Sequence, residues 1–353
     1  MASEIETIIR KAVELRSSDL HITVGVPPMC RIDSQLVSID GYEKLTSDDT
    51  RLICYSLITS EQTKRLEENG EIDFSYSIAG IGRFRANIYK QRGSYSLALR
   101  VLANKIPTID ELGLPQVFKE LALKPRGLIL VTGTTGSGKS TTLAALIDYI
   151  NTNRRGHILT LEDPIEYLHK HNKCIVNQRE IGEDTHSFSS ALRGALREDP
   201  DVILVGEMRD LETISIAVSA AETGHLVLST LHTVNAAQTV DRIIDMFPSY
   251  QQQQIKVQLA GVLQGIISQQ LLRLMGAHGR TAAIELLLLT DAIRNVIREG
   301  KTHQIPSMMQ TSITQGMLTM DYSLSQLVKE RKITMQDAIV HCSDMEMLKR
   351  YLN

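Results

Sequence analysis

The sequence predicts an α/β protein of two domains in series, a small one on an antiparallel sheet and a larger one on a parallel sheet. Three observations carry this. Residues 71–102, EIDFSYSIAGIGRFRANIYKQRGSYSLALRVL, alternate apolar and polar side chains across several short runs. From residue 127 onward the apolar runs lose that alternation and are separated by helical stretches, as in a parallel sheet covered on both faces. Between them KIPTIDELGLP (105–115) brings two prolines and a shift in composition. The domains are therefore expected at 1–103 and 119–353, joined by a linker at 104–118. A chain of 353 residues suits this division, at roughly 150 residues per domain.

In the first domain, Ile5, Ile8, Ile9, Val13 and Leu15 give residues 4–16 one apolar helical face. SSDLHITVG and PPMCRIDSQLVSI read as strands around a Pro27-Pro28 turn. Thr46 to Glu68 reads as one helix, with Ser47 or Asp48 near its cap and Leu52, Ile53, Leu57 and Ile58 turned inward. Gly80 with Gly82 and Arg92-Gly93-Ser94 mark turns between the strands that follow. In the second domain the buried strands are expected at Gly127–Val131, His157–Leu161, Val202–Val205 and Leu226–Ser229. Residues 251–353 read as mainly helical, with QIKVQLAGVLQGIISQQLLRLM the longest helical candidate.

Composition excludes several classes. With 38 Lys+Arg against 41 Asp+Glu, the net charge of −3 argues against gripping nucleic acid by bulk charge. No basic stripe interleaved with aromatics suggests a nucleic-acid path. The apolar runs fall far short of the roughly 20 residues a bilayer span needs. The start, MASEIETIIRKAVELR, is acidic and amphipathic, unlike a signal peptide. Cys30, Cys54, Cys174 and Cys342 lie far apart, which predicts reduced thiols. With no Trp and five Phe, the core must be aliphatic.

The most informative stretch is GLILVTGTTGSGKSTTLAALIDYI. Gly133-Thr134-Thr135-Gly136-Ser137-Gly138-Lys139-Ser140, followed by Thr141, satisfies G-x-x-x-x-G-K-[ST] between a buried strand and an Ala/Leu-rich helix. The glycines let backbone N–H groups converge on phosphate oxygens, and the helix N-terminus adds its dipole. Lys139 should reach the β- and γ-phosphates of ATP, and Ser140 should ligate Mg²⁺. A second acid is needed beside the loop. At the end of DVILVGE the slot that usually holds Asp is Gly206, so Glu207 is expected to reach the Mg²⁺ shell or the attacking water. ILTLEDPIE ends another buried strand in acids, making Glu162 a candidate general base, with Asp163 and Glu166 orienting it. His225 and His232 bracket a third strand and are candidates for sensing nucleotide state. Their spacing does not suit a zinc pair on one helix. Arg83, Arg85, Arg92 and Arg100 cluster on the last strands of the first domain, and a guanidinium from outside can stabilise the charge of phosphoryl transfer.

The motifs GTTGSGKSTT, ILTLEDPIEY, DPDVILVGEMRD and TGHLVLSTLHT, with SDLHITVGVPPMCRID near the start, resemble the bacterial ATPases of type II secretion and type IV pili. AIRNVIREGK and HQIPSMMQTSITQGMLTMDYSL resemble the pilus-retraction branch of that family. The resemblance covers nearly the whole chain. It implies a PAS-like first domain, a RecA-like P-loop ATPase domain with a helical C-terminal region, and a retraction motif at 292–299. It implies a cytoplasmic homohexamer at the inner-membrane base of the pilus machine, acting on a platform protein and through it on pilin, with ATP and Mg²⁺ bound. It points to Arg85 and Arg100 as the guanidinium donors from a neighbouring copy. Either Glu162 or Glu207 could abstract the proton; Glu162 is favoured as base and Glu207 as the Mg²⁺ or water ligand. Departures are small: Thr134 stands where Pro is common, Ser34 where Gly is common, and Val296 where Leu is usual. The cysteine pairs with which some extension ATPases bind zinc are missing. In the motif helix, Asp291 is the expected cap, Ile293, Val296 and Ile297 form the apolar face, and Arg294 and Arg298 are expected to contact a partner or couple energy. Competing readings are an extension or type II secretion ATPase, and a ring that binds nucleotide but hydrolyses it slowly.

Overall fold

Alternating side chains and strong helix caps organise the first part of the chain in the computed structural model, which describes residues 4–32, 35–102, 105–276 and 279–352. Ser34 and the expected boundary at 103/104 lie outside the described residues. The chain divides into two units, Met1–Lys105 and Ile106–Asn353. The first contains α1 (Glu4–Glu14), β1 (Asp19–Ile22), β2 (Met29–Ile32), β3 (Gln35–Ser38), α2 (Ser47–Ser56), α3 (Ser60–Asn69), β4 (Glu71–Ile78), β5 (Gly82–Gln91) and β6 (Ser94–Val101). Its six strands form an antiparallel sheet in the order β3-β2-β1-β6-β5-β4. Phe74, Phe84, Ala86, Ile88, Leu97 and Leu99 bury one face against Ile5, Ile8 and Ile9 of α1 and Ile53 of α2.

The single helix expected over Thr46–Glu68 is two. Thr46, not Ser47 or Asp48, caps α2, in a capping box with Asp49. Thr59 starts α3 in a second box with Gln62. Each cap stabilises its helix by about 1 kcal/mol, enough to fix the break between them.

The second unit contains α4 (Val117–Ala122), β7 (Gly127–Thr132), α5 (Lys139–Asn153), β8 (Gly156–Glu162), β9 (Cys174–Glu180), α6 (Phe188–Ala195), β10 (Val202–Val205), α7 (Leu211–Glu222), β11 (Leu226–Leu231), α8 (Ala236–Asp245) and α9 (Ser249–Val262). After these come β12 (Leu263–Arg273), β13 (Arg280–Leu288), α10 (Asp291–Glu299), α11 (Ile305–Thr311), α12 (Met320–Lys329), α13 (Met335–His341) and α14 (Met345–Leu352). The sheet order is β13-β12-β7-β11-β10-β8-β9, parallel except for β13. β7, β10 and β11 are buried at every residue, which explains their unbroken apolar runs. Ile109, Leu114 and Phe118, from the segment read as linker, pack into this unit's core.

QIKVQLAGVLQGIISQQLLRLM is not one helix. It is helical to Val262 in α9 and then becomes β12, which lies between β7 and β13. With both faces covered, β12 shows no alternation, and its Leu and Gln residues are good helix formers. In α10 the cap is Thr290, whose side chain accepts from Ile293 N–H; Asp291 is the first helical residue. Ile293, Val296 and Ile297 are buried as expected. Arg294 donates to the carbonyls of Ala260 and Gly261 at the end of α9, whereas Arg298 is exposed and bonds the Asn295 side chain at 2.9 Å. Among the described residues no helix is long and apolar enough to cross a membrane.

Candidate active site

The parallel register brings four strand ends to one rim. Thr132 of β7 pairs with Leu231 of β11, Ser229 with Val205 of β10, and Val205 with Leu161 of β8. The residues that follow three of these strands are the phosphate loop 133–138, His232 and Gly206-Glu207, and Glu162 is the last residue of β8. This is the rim at which ligands bind in open α/β sheets.

The loop needs its glycines. Gly133, Gly136 and Gly138 have φ of 141°, 81° and 90°, where other L-residues are strained. A Cβ on Gly133 would lie 2.4 Å from Gln269 O and 2.5 Å from Ser137 Oγ. Thr134, Thr135 and Gly136 are exposed; Ser137 is buried, and its hydroxyl has no partner among the described residues. Lys139 opens α5 and donates from Nζ to the carbonyls of Gly133 at 2.9 Å and Thr134 at 3.0 Å. Burial pushes its ammonium below the usual lysine range, and the negative charges of Glu207 and Glu166 oppose that. An anion in the loop would act in the same direction as those carboxylates. Loop, lysine and helix N-terminus together fit a nucleotide's phosphates.

Glu207 is mostly shielded, its side chain 19% exposed. Arg209 Nε lies 2.8 Å from one of its oxygens and His232 Nε2 3.5 Å from the other. The strand explains why this acid comes one residue late. Gly206 N–H donates to Leu161 O at 2.7 Å, and a Cβ at Gly206 would sit 3.1 Å from that same oxygen. An Asp in this slot would therefore be crowded. Glu162 accepts from the Thr160 hydroxyl at 2.6 Å and from Gln178 Nε2 at 3.1 Å, both at Oε1. Beyond it, Glu166 is exposed and Tyr167 OH lies 2.9 Å from Thr141 Oγ1, so this segment reaches the first turn of α5. Arg209 and Tyr167 were missed in the sequence. Both sit inside motifs already singled out, two residues after Glu207 and five after Glu162.

His225 is not brought to this rim. It precedes β11, and its carbonyl accepts from Gly127 N–H at the start of β7. Six strand residues separate it from His232, about 23 Å at the usual rise. Its Nδ1 donates to Ala220 O at 2.9 Å, at the end of α7.

In the first unit, Arg85 and Arg100 are exposed and directly opposite each other across β5 and β6. Arg100 Nε donates to Asp19 at 2.9 Å. Burial resists ionisation of Asp19, yet hydrogen bonds from Arg100 and Ser18 hold its carboxyl below the usual range. Asp19, Asp73, Arg85, Asn87 and Arg100 line a shallow cavity of about 210 Å³. Arg92 lies in the β5–β6 turn, with φ 49°.

Residues 1–339 match the family model described as "Type II/IV secretion system protein". The chain is 47% identical to the type IV pilus retraction ATPase PilT of Pseudomonas aeruginosa over 95% of this chain and 97% of that protein. It is 44% identical to a twitching motility protein of Neisseria gonorrhoeae over 92% of this chain and 88% of the other. Among solved structures it is similar to a crystal structure of the pilus retraction motor PilT with bound ADP, with TM-score 0.93, 51% identity and 99% and 100% of the two chains covered. On these matches, and on the phosphate loop that β7 and α5 build, the chain belongs to the type II/IV secretion system protein family of ATPases.

Proposed function

We propose that this chain is an ATP-hydrolysing motor that drives retraction of a type IV pilus and so twitching motility. It works as a homohexamer on the cytoplasmic side of the inner membrane, pulls through a platform protein, and draws pilin from the fibre base. The observation that carries this reading is similarity to PilT over almost the full length of both proteins, together with an intact phosphate loop.

ATP is the substrate. Its β- and γ-phosphates lie on the N–H groups of residues 133–140, and Lys139 leaves the loop carbonyls for phosphate oxygen. Among the described residues no trio of His, Cys, Asp or Glu is placed to hold a metal. Mg²⁺ would instead take Ser140, Glu207 and phosphate oxygens, a hard-oxygen set that suits it. When bound it would neutralise phosphate charge. Glu162 takes a proton from water as the water oxygen bonds to the γ-phosphorus and the bond to the bridging oxygen of ADP breaks. Arg209 and His232 orient Glu207. Arg85 and Arg100 of a neighbouring copy supply positive charge to the γ-phosphate.

Steady-state phosphate release by the purified protein, with Lys139→Ala as blank, tests the hydrolysis. A deletion strain scored for surface fibres tests the direction of work. A retraction motor predicts extra fibres and no twitching, whereas bald cells would favour the extension reading. The motif helix sharpens this. Arg294 ties α10 to the end of α9, so its loss should cost stability, whereas exposed Arg298 is available to a partner.

A further inference from the structure

The phosphate loop rests on β12, a strand built largely from residues of high helix propensity. The parallel ladder between β7 and β12 ends where Thr132 pairs with Ser268. The next residue, Gln269, therefore stands beneath the loop that follows Thr132. It is 2% exposed. Its Nε2 donates to Ser137 O at 2.7 Å, and its Oε1 accepts from the Thr142 hydroxyl at 3.0 Å. One amide thus joins the end of the loop to the first turn of α5, and each end of the amide meets the partner it needs.

Two further contacts show how tightly β12 shapes the loop. The Gln269 carbonyl is the atom a Cβ at Gly133 would strike, and Nε2 lies 3.0 Å from where a Cβ at Gly138 would be. In a trans peptide the C=O and the following N–H point in opposite directions. Holding the Ser137 carbonyl toward β12 therefore turns the Gly138 N–H away from β12, toward the open side of the loop. The orientation of that N–H, where α5 begins, is set by a side chain well over a hundred positions along the chain.

We infer that Gln269 is a positioning residue for phosphate binding, fixing the Ser137–Gly138 peptide so that its N–H faces the phosphates. This rests on the reading of residues 133–140 as a nucleotide site. Gln269 touches no phosphate itself and acts through the peptide it holds. Its absence leaves the loop covalently intact but free to rotate that peptide.

The test uses the full chain, a fluorescent ADP derivative and steady-state hydrolysis. Gln269→Met keeps side-chain volume and removes both bonds. It should raise the Kd for ADP and the KM for ATP about tenfold, equivalent to about 1.4 kcal/mol, with kcat changed less than about twofold. Thr142→Val removes one bond and should raise both constants by about threefold. A Gln269→Met protein with lowered Tm but unchanged Kd and KM would show that the side chain only fills the core, and the inference fails. Should Gln269→Met not fold, unchanged Kd in Thr142→Val overturns it equally. Wild-type protein that binds no ADP at millimolar concentration would bring down the nucleotide-site reading and this inference with it. Tight wild-type binding with unaltered variants defeats the positioning role alone.

Discussion

The two rims of the seven-stranded sheet carry similar residue types in different states. At the amino rim, His225 donates to Ala220 O, His157 Nδ1 donates to Glu198 O at 3.0 Å, and Asp201 accepts from His157 N–H at 2.8 Å and from Arg154 at 3.3 Å. At the carboxyl rim, His232 and Arg209 converge on Glu207, and Lys139 rests on carbonyls that a phosphate can replace. Parallel crossovers explain the difference. Helices arrive at the amino rim with their last carbonyls free of intrahelical partners, and at the end of α7 such a carbonyl, Ala220 O, takes the His225 ring N–H. They leave the carboxyl rim with unpaired N–H groups, which favour an anion. Which end of β11 a histidine occupies thus decides what it touches, although both lie in one short motif.

Four measurements would break or sharpen this contrast. The largest expected effect is Lys139→Ala, which should lower ATP turnover by about 10³-fold, measured as phosphate release. Next, Glu162→Gln and Glu207→Gln should each lower kcat by about 10²-fold or more. A larger loss for Glu162→Gln would assign the proton abstraction to it. Third, His232→Ala should lower kcat about tenfold with little change in Tm, since that side chain touches Glu207 from an exposed position. His225→Ala should do the opposite, leaving kcat within about twofold while costing about 1 kcal/mol of stability for its bond to Ala220. Equal kinetic losses for both histidines would remove the distinction between the rims.

The fourth measurement reads stability alone, behind the carboxyl rim at Glu285 of β13. Its carboxylate accepts from Ala236 N–H at 2.7 Å, at the start of α8. Burial pushes its pKa up from 4.5 to about 7, with the nearby charge of Asp321 adding to the rise. The folded protein therefore holds a proton that the unfolded chain has released. Stability is fully present below pH 4.5 and is lost as pH rises toward 7. Glu285→Gln keeps an acceptor for Ala236 and removes this titration. Its Tm should match wild type near pH 4 and exceed it near pH 8, by a stability difference of about 3 kcal/mol. Parallel Tm curves for the two proteins would contradict the assignment.

How much was legible depends on how each signal is encoded. The phosphate loop is local: strand, glycines, lysine and helix are contiguous, so residues 133–141 could be read directly. Alternation exposed β4 and β5, because each has one buried face. The break between α2 and α3 was written in Thr59-Ser60-Glu61-Gln62, a capping box that a continuous run of helix formers obscured. β12 left no such trace, since a strand buried on both faces loses its period. Arg209 and Tyr167 are ordinary residue types whose partners emerge only when strand ends align.

By itself the sequence determined the order of the two α/β units and the chemistry of the loop, since each follows from neighbours along the chain. Tertiary structure alone decided that His225 and His232 part company, that Arg209 and His232 converge on Glu207, and that Gln269 lies under the loop. Those outcomes depend on strand order and register, and they join residues as many as 132 positions apart whose attraction no local pattern records.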